Sequence, residues 1–532
     1  QPSRVLYQKV ERSPSEQSVI FSLSSKEIAN FWWFQLFTEQ QNETLYLKEI
    51  EFSNILKADA FDIKNSLYVY EDMCPNEIES LNGQHYFIFH EGECGLVVVN
   101  SEMFLNSRPI GLQLILRLSL CTVLLLLVAF LYKQSSTQRI LLVSVAFFIA
   151  CFPLKMEWSN WTLGVMGLVA LVTFIIDRER TFRWRPIYWL PVAIYALYLA
   201  GCLYAGHKAD AYRELDASIS LIIFPIVFSI VCLTKDNILL LLRFFIRAAM
   251  VFCVFGLLSF AAIVPEFGLN ILLDGKLYSP LLLMWPAYPH PSVAAMVLVM
   301  AVPVAMYLHR IKGISMVEML LCLCCVMIFS MLTGARVAMI AVPMVIVLGV
   351  GVYCKIKPVF KWALAGIAVA GCVFIFNKYP ELTNRFSDPI REQLRITAMD
   401  AFKQKPIFGW GTGSMKQIIA SEETVHRLGY DAPQATLNHF HNQYLDSLVQ
   451  FGIAGSLVFF ALFVSLACIA VRRKDFLLAA FLAIYLLFML VESPLATVKG
   501  IQPMMFWLCF FTGSQNITAE RYPHKKHTVS QP

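Results

Sequence analysis

Two histidines, His439 and His441, stand in the segment Asn438-His439-Phe440-His441-Asn442-Gln443-Tyr444-Leu445. An imidazole takes a proton from a hydroxyl near neutral pH, which is general-base chemistry. Upstream lies Gly409-Trp410-Gly411-Thr412-Gly413, whose alternating glycines permit a tight turn and a close backbone approach. Read from the residues alone, a surface position or a helix-cap contact competes with catalysis for each histidine. A plain turn competes for the glycines. Arginines at the ends of apolar stretches form a second group: Arg213, and Arg336 within Leu332-Thr333-Gly334-Ala335-Arg336. A guanidinium stays charged and grips a phosphate with two parallel bonds. At membrane depth an ionisable side chain is costly and therefore a functional candidate, with snorkelling to lipid headgroups as the alternative. Glu492 is a lone acid whose partner is Lys499 or Arg336. No P-loop, GxSxG, HExxH or paired-carboxylate run appears, so neither a metal nor another cofactor is expected.

The elements that carry these residues follow from composition. The chain has 532 residues, 58% hydrophobic and only 15% charged, with mean hydropathy +0.61. A soluble domain carries about 25% charged residues. This is a polytopic membrane protein, with a lipid bilayer as its surroundings and no nucleic-acid partner. The net charge of +6 hides a split: residues 1–110 hold 8 Lys/Arg against 16 Asp/Glu, and the remainder is basic.

A span needs about 20 apolar residues. Thirteen candidates appear at roughly 110–132, 139–155, 160–176, 187–205, 217–233, 239–263, 291–309, 316–334, 336–354, 360–377, 452–471, 475–493 and 499–513, the last being short. Lys/Arg in alternate short loops, such as Arg178–Arg185 and Arg472-Arg473-Lys474, mark the cytoplasmic side. That puts residues 1–109 and the loops 204–216, 264–290 and 378–451 on the opposite face. The expected organisation is a mainly β external domain over 1–109, helices over 110–377, a large external loop over 378–451, helices over 452–513 and a basic cytoplasmic tail over 514–532.

In the external domain, 17–23, 44–53, 66–70, 84–90 and 94–99 read as strands, and a small β-sandwich is the expected fold. Cys74 and Cys94 would face an oxidising compartment there. A disulfide between them would stabilise by about 3 kcal/mol, and two unpaired buried thiols are the other reading. Trp32 and Trp33 suit either stacking on a sugar or core packing. In the large loop, Ile390, Leu394, Ala398 and Phe402 repeat at period four, which predicts an amphipathic helix over 390–405 lying on the membrane or across the bundle mouth. A transporter or sensor with an external β domain is the competing class, but transporter sites lie at the midplane and not in outer loops.

The order Arg395, Gly409-Trp410-Gly411-Thr412-Gly413, His441-Asn442-Gln443-Tyr444-Leu445 and Gly452-Ile453-Ala454-Gly455 resembles the bacterial O-antigen ligase/polymerase superfamily. His290-Pro291-Ser292 resembles its HP-S/N segment. Arg336 resembles the arginine of its S-R motif, with Ala335 where serine is usual. The resemblance covers roughly residues 139–513. It implies a GT-C-type bundle with a large periplasmic loop, in the inner membrane of a Gram-negative bacterium. It also implies metal-independent, inverting transfer of a glycan from undecaprenyl diphosphate to a hydroxyl. The acceptor is lipid A-core for a ligase, Ser/Thr of a protein for an O-oligosaccharyltransferase, or another lipid-linked glycan for a polymerase. The ligase is the leading expectation. His441 becomes the catalytic base, with His439 orienting it or binding acceptor. Arg213, Arg336 and Arg395 hold the diphosphate, and His290, Gly411, Asn442 and Tyr444 contact substrate.

Overall fold

The structure is a computed structural model. It describes eight short segments between 34 and 98, then residues 110–134, 139–154, 156–176, 182–231, 233–267, 291–332, 335–353, 389–421, 424 and 439–513. The chain divides into two units, Gln1–Leu112 with Ala262–Ile271, and Gln113–Ala261 with Leu272–Pro532.

The described part of the first unit is built of strands β1 (Phe34–Phe37), β2 (Leu45–Leu47), β3 (Glu51–Asn54), β4 (Lys57–Ala60), β5 (Leu67–Val69), β6 (Asn76–Leu81), β7 (Gln84–Phe89) and β8 (Glu93–Val98). All pairs are antiparallel, giving two three-stranded sheets, β1-β8-β5 and β2-β7-β6, and the hairpin β3-β4. Leu81 pairs with Gln84 at the end of the β6–β7 ladder. The single strand expected over 44–53 is two strands here, and β1, β4 and β6 were not anticipated. Residues 17–23, Trp32, Trp33 and Cys74 lie outside the described residues, and of Cys94 only its backbone place in β8 is described.

The second unit is helical. The described helices, of which the first three residues of α1 and the last six of α7 fall in the first unit, are α1 (Ile110–Gln134), α2 (Arg139–Ala150), α3 (Met156–Ile176), α4 (Trp189–Tyr204), α5 (Lys208–Ala217), α6 (Ser220–Ile230), α7 (Lys235–Phe267), α8 (Pro291–Val299) and α9 (Ala301–Arg310). They continue as α10 (Met316–Leu332), α11 (Arg336–Tyr353), α12 (Pro389–Gln404), α13 (Ser414–Ile419), α14 (Gln443–Arg473), α15 (Phe476–Phe488) and α16 (Val498–Gly513). Helices coincide with every expected span except 360–377, which lies outside the described residues. Among the described residues, five apolar helical stretches are long enough to cross a bilayer: Trp158–Ile176, Pro186–Tyr204, Lys235–Leu258, Ser292–Arg310 and Gln443–Arg473. The protein is a polytopic α-helical membrane protein.

α16 matches the span that looked weakest, yet every residue from Lys499 to Thr512 is buried. A helix apolar on all sides belongs inside a bundle. Phe506, Trp507 and Phe510 pack there against Phe148, Phe152, Phe224, Phe228 and Phe245 in edge-to-face and tilted pairs. Shortness followed from position: a central helix has no lipid-facing stripe to extend.

Candidate functional site

α14 begins nine residues earlier than the expected span, at Gln443. Asn442 is the reason: its side chain accepts hydrogen bonds from the Tyr444 and Leu445 amides, the usual N-cap arrangement. The polar residues that read as loop, Gln443, Asp446, Ser447 and Gln450, are buried helix residues; Ser447 bonds back to Gln443 one turn earlier, and the other three have partners outside the helix. Gln443 Oε1 accepts from the Leu495 amide at 2.7 Å, and Asp446 Oδ1 accepts from the Phe440 amide at 3.0 Å. Gln450 Nε2 donates to Glu214 Oε1 of α5 at 2.6 Å.

The first helical piece of α14 ends at Gly452, whose φ of 62° and ψ of −164° break the helix. The glycine-rich segment fills the break. Trp410 and Gly411 amides donate to the Val449 and Gln450 carbonyls at 2.8 and 2.9 Å, while the Ile453 and Ala454 amides donate to Pro406 and Ile407 at 2.8 and 3.1 Å. Helix termini leave such groups without intrahelical partners, and this segment satisfies them from both sides of the kink. A Cβ at Gly409 would lie 2.4 Å from the Gln450 carbonyl oxygen, and one at Gly452 2.3 Å from that of Ile407. Thr412 Oγ1 donates to the Tyr198 carbonyl at 2.6 Å, fastening the segment to α4. Gly411 is therefore a close-approach residue, its amide committed to Gln450.

Below the segment sits a small core. Leu394, Ala398 and Ala401 of α12 pack with Met415, Ile419, Phe440 and Val449. This is the amphipathic face anticipated from 390–405, with Ile390 and Phe402 at its edge. It lays α12 against α13 and the start of α14.

On this base stands His441, in the left-handed region at φ 51°, which side chains other than glycine rarely adopt. The strain is held by the Asp446–Phe440 bond before it and the Asn442 cap after it. Its Nδ1 lies 3.3 Å from Oε2 of Glu492. The other oxygen of that buried carboxylate faces Arg391, 3.4 Å from Nη2, and Arg391 Nη1 donates to the Val491 carbonyl at 2.9 Å. The ring of His439 meets that of His441 edge-on, centroids 4.4 Å apart. The result is a cation, a buried carboxylate and an imidazole in line. Nε2 of His441 makes no hydrogen bond among the described residues and is the open end.

The expected site residues separate into groups. His441 and His439 are together. Asn442 Nδ2 donates to the Leu490 carbonyl at 3.0 Å and Tyr444 Oη to that of Leu486 at 3.0 Å, so both side chains fasten the histidine segment to the end of α15. Arg213 is exposed on α5, and exposed Arg395 holds Glu392 one turn back at 2.6 Å; neither bonds to the His441 cluster. Arg336 opens α11, and its side chain and His290 lie outside what the structure describes. The cation beside Glu492 is Arg391, which falls within the helix expected over 390–405. Lys499, one of the two partners considered for Glu492, donates to the Cys151 carbonyl at 3.3 Å.

Glu214 is the other residue the sequence did not single out. It is half-buried and receives bonds from Gln450 and from the Gly413 amide. Burial, helped by nearby Asp210, outweighs those bonds and pushes its carboxyl up to about 7.

Residues 319–460 match the family model described as O-Antigen ligase. The matched stretch runs from α10 through the glycine-rich segment and the histidines into α14. Among curated proteins nothing matches.

Proposed function

We propose that this chain, whose residues 319–460 match the O-antigen ligase family model, is a member of the O-antigen ligase-like superfamily and a membrane glycosyltransferase. It moves a glycan from undecaprenyl diphosphate to an acceptor hydroxyl on the periplasmic face of a Gram-negative inner membrane, with lipid A-core as acceptor. The observation that carries this reading is the left-handed His441, its Nδ1 on buried Glu492 and its Nε2 open.

A carboxylate at Nδ1 favours the tautomer with the proton there, which leaves Nε2 as the base. The acceptor hydroxyl gives its proton to Nε2 as its oxygen bonds to the anomeric carbon. The bond from that carbon to the diphosphate oxygen breaks, and undecaprenyl diphosphate leaves with the electron pair. One displacement inverts the anomeric centre. The developing charge on the leaving group falls to the arginines, Arg213, Arg336 and Arg395, with no metal required. His439 packs against the base and sets its ring plane, and His290 contacts substrate.

The test is His441→Ala in a strain lacking the chromosomal copy. Lipopolysaccharide ladders should disappear while the protein remains in the membrane fraction. Ladders that persist would end the catalytic role of His441. Loss of protein glycosylation with ladders intact would move the acceptor to Ser/Thr of a protein, and altered chain length with attachment intact would make the enzyme a polymerase.

A further inference from the structure

We infer that the membrane bundle carries a site for one anionic phospholipid, built around Arg243 and Arg247 of α7. The two arginines lie one helical turn apart, so they share a face. They begin eight residues into α7, about 12 Å along its axis. Their electrostatic situations differ. Arg247 Nε donates to Glu318 Oε1 of α10 at 2.9 Å. Arg243 Nε is buried with no hydrogen-bond partner among the described residues. A buried guanidinium nitrogen left without an acceptor inside an apolar span is costly, so it points to a partner beyond the described residues. Two arginines and one glutamate leave a single positive charge, which matches a monoanionic phosphodiester.

The surroundings select a lipid over a soluble anion. The arginines open into a cleft lined by Leu127, Phe130 and Leu131 of α1 and Phe244 of α7. Phe130 is exposed on the outer surface of the bundle. A phosphate seated on Arg243 would leave acyl chains to run along these side chains. The turn that follows α9 approaches the same arginine: a Cβ at Gly313 would lie 3.5 Å from Arg243 Nη2. Arg310 and Lys312 flank that turn and add positive potential. None of these residues belongs to the His441 cluster, so the inference does not rest on the proposed reaction.

The experiment is native mass spectrometry of the full chain released from nanodiscs of mixed phosphatidylglycerol and phosphatidylcholine. The wild type should retain one phosphatidylglycerol. Arg243→Gln should retain it on the order of tenfold less, since a bond to a charged group is lost. Arg243→Lys, which keeps the charge, should recover part of the retention and shows that the variant still folds. Retention in Arg243→Gln equal to wild type, or equal retention of phosphatidylcholine, would overturn the site. Displacement of the lipid by millimolar inorganic phosphate would make it a free-anion site and overturn the lipid assignment.

Discussion

His441 Nδ1 and Glu492 Oε2 stand 3.3 Å apart although 51 residues of chain separate them. The first lies just before α14 and the second just after α15, so the antiparallel pair brings both to one end of the bundle. Glu492→Gln tests what the carboxylate does. An amide cannot bias the imidazole toward one tautomer as a carboxylate does. Glycan transfer should fall on the order of tenfold or more, with His441→Ala falling further, about 10²–10⁴. Glu492→Asp should recover part of the rate. Transfer rates against pH are the measurement; a Glu492→Gln profile identical to wild type would reduce the acid to a packing role.

Arg391 and Arg395 make a matched pair on α12. Arg395 is exposed and its partner Glu392 is too, so that ion pair contributes roughly 0–1 kcal/mol to stability. Arg395→Ala should leave thermal unfolding unchanged, and any loss of transfer then reports a contact with the diphosphate. A full phosphate contact would cost on the order of 10²–10³ in rate. Arg391→Ala should act differently, by leaving Glu492 and the Val491 carbonyl without that donor. Its expected signature is a lower unfolding temperature together with slower transfer. Reversed signatures for the two arginines would contradict the placement of both.

The sequence showed the apolar helices because their signal is local: a run of about 20 apolar residues needs no partner to be seen. The histidines and the glycine-rich segment were visible for a similar reason, being unusual residues at short spacing. The pairing of Glu492 was not visible, because it depends on how α14 and α15 lie side by side. Gln443, Asp446 and Gln450 were read as loop because polar residues argue against a span. In the fold each has a partner on another element, so burial is tolerated. α16 was underrated on length, since burial on all sides leaves no amphipathic stripe to detect. Arg391 carried no sequence signal beyond its place on the polar side of a predicted helix.

Gly452 lies where the two pieces of α14 meet the glycine-rich segment. Alanine there must adopt φ near 62° and place a Cβ against the Ile407 carbonyl. The backbone strain alone is worth about 1–3 kcal/mol. The clash should further displace residues 406–411, loosening four amide–carbonyl bonds across the kink. The unfolding temperature in detergent should drop, and limited proteolysis should cut near 406–411 faster than in wild type. Gly164→Ala, in α3 with no atom within 4 Å of the added Cβ, gives a comparison without either the φ penalty or a clash. An unaltered melting temperature in Gly452→Ala would mean that the kink is not required.

Glu214 gives the protein a pH dependence of definite sign. Its carboxyl rises from an ordinary 4.5 to about 7 on folding, mainly through burial. Between those values the folded protein keeps a proton that the unfolded chain has released. Stability therefore falls as pH rises through this window and levels off above about 7. The protonated form is the one compatible with its half-buried place beside Gln450. Glu214→Gln stays neutral at every pH, so its unfolding temperature should change less than that of wild type between about pH 5 and pH 8. At the alkaline end the variant should be the more stable of the two. The comparison is made by thermal unfolding in one detergent at fixed ionic strength. A wild type that gains stability relative to Glu214→Gln as pH rises would show that the carboxylate is the form the fold prefers.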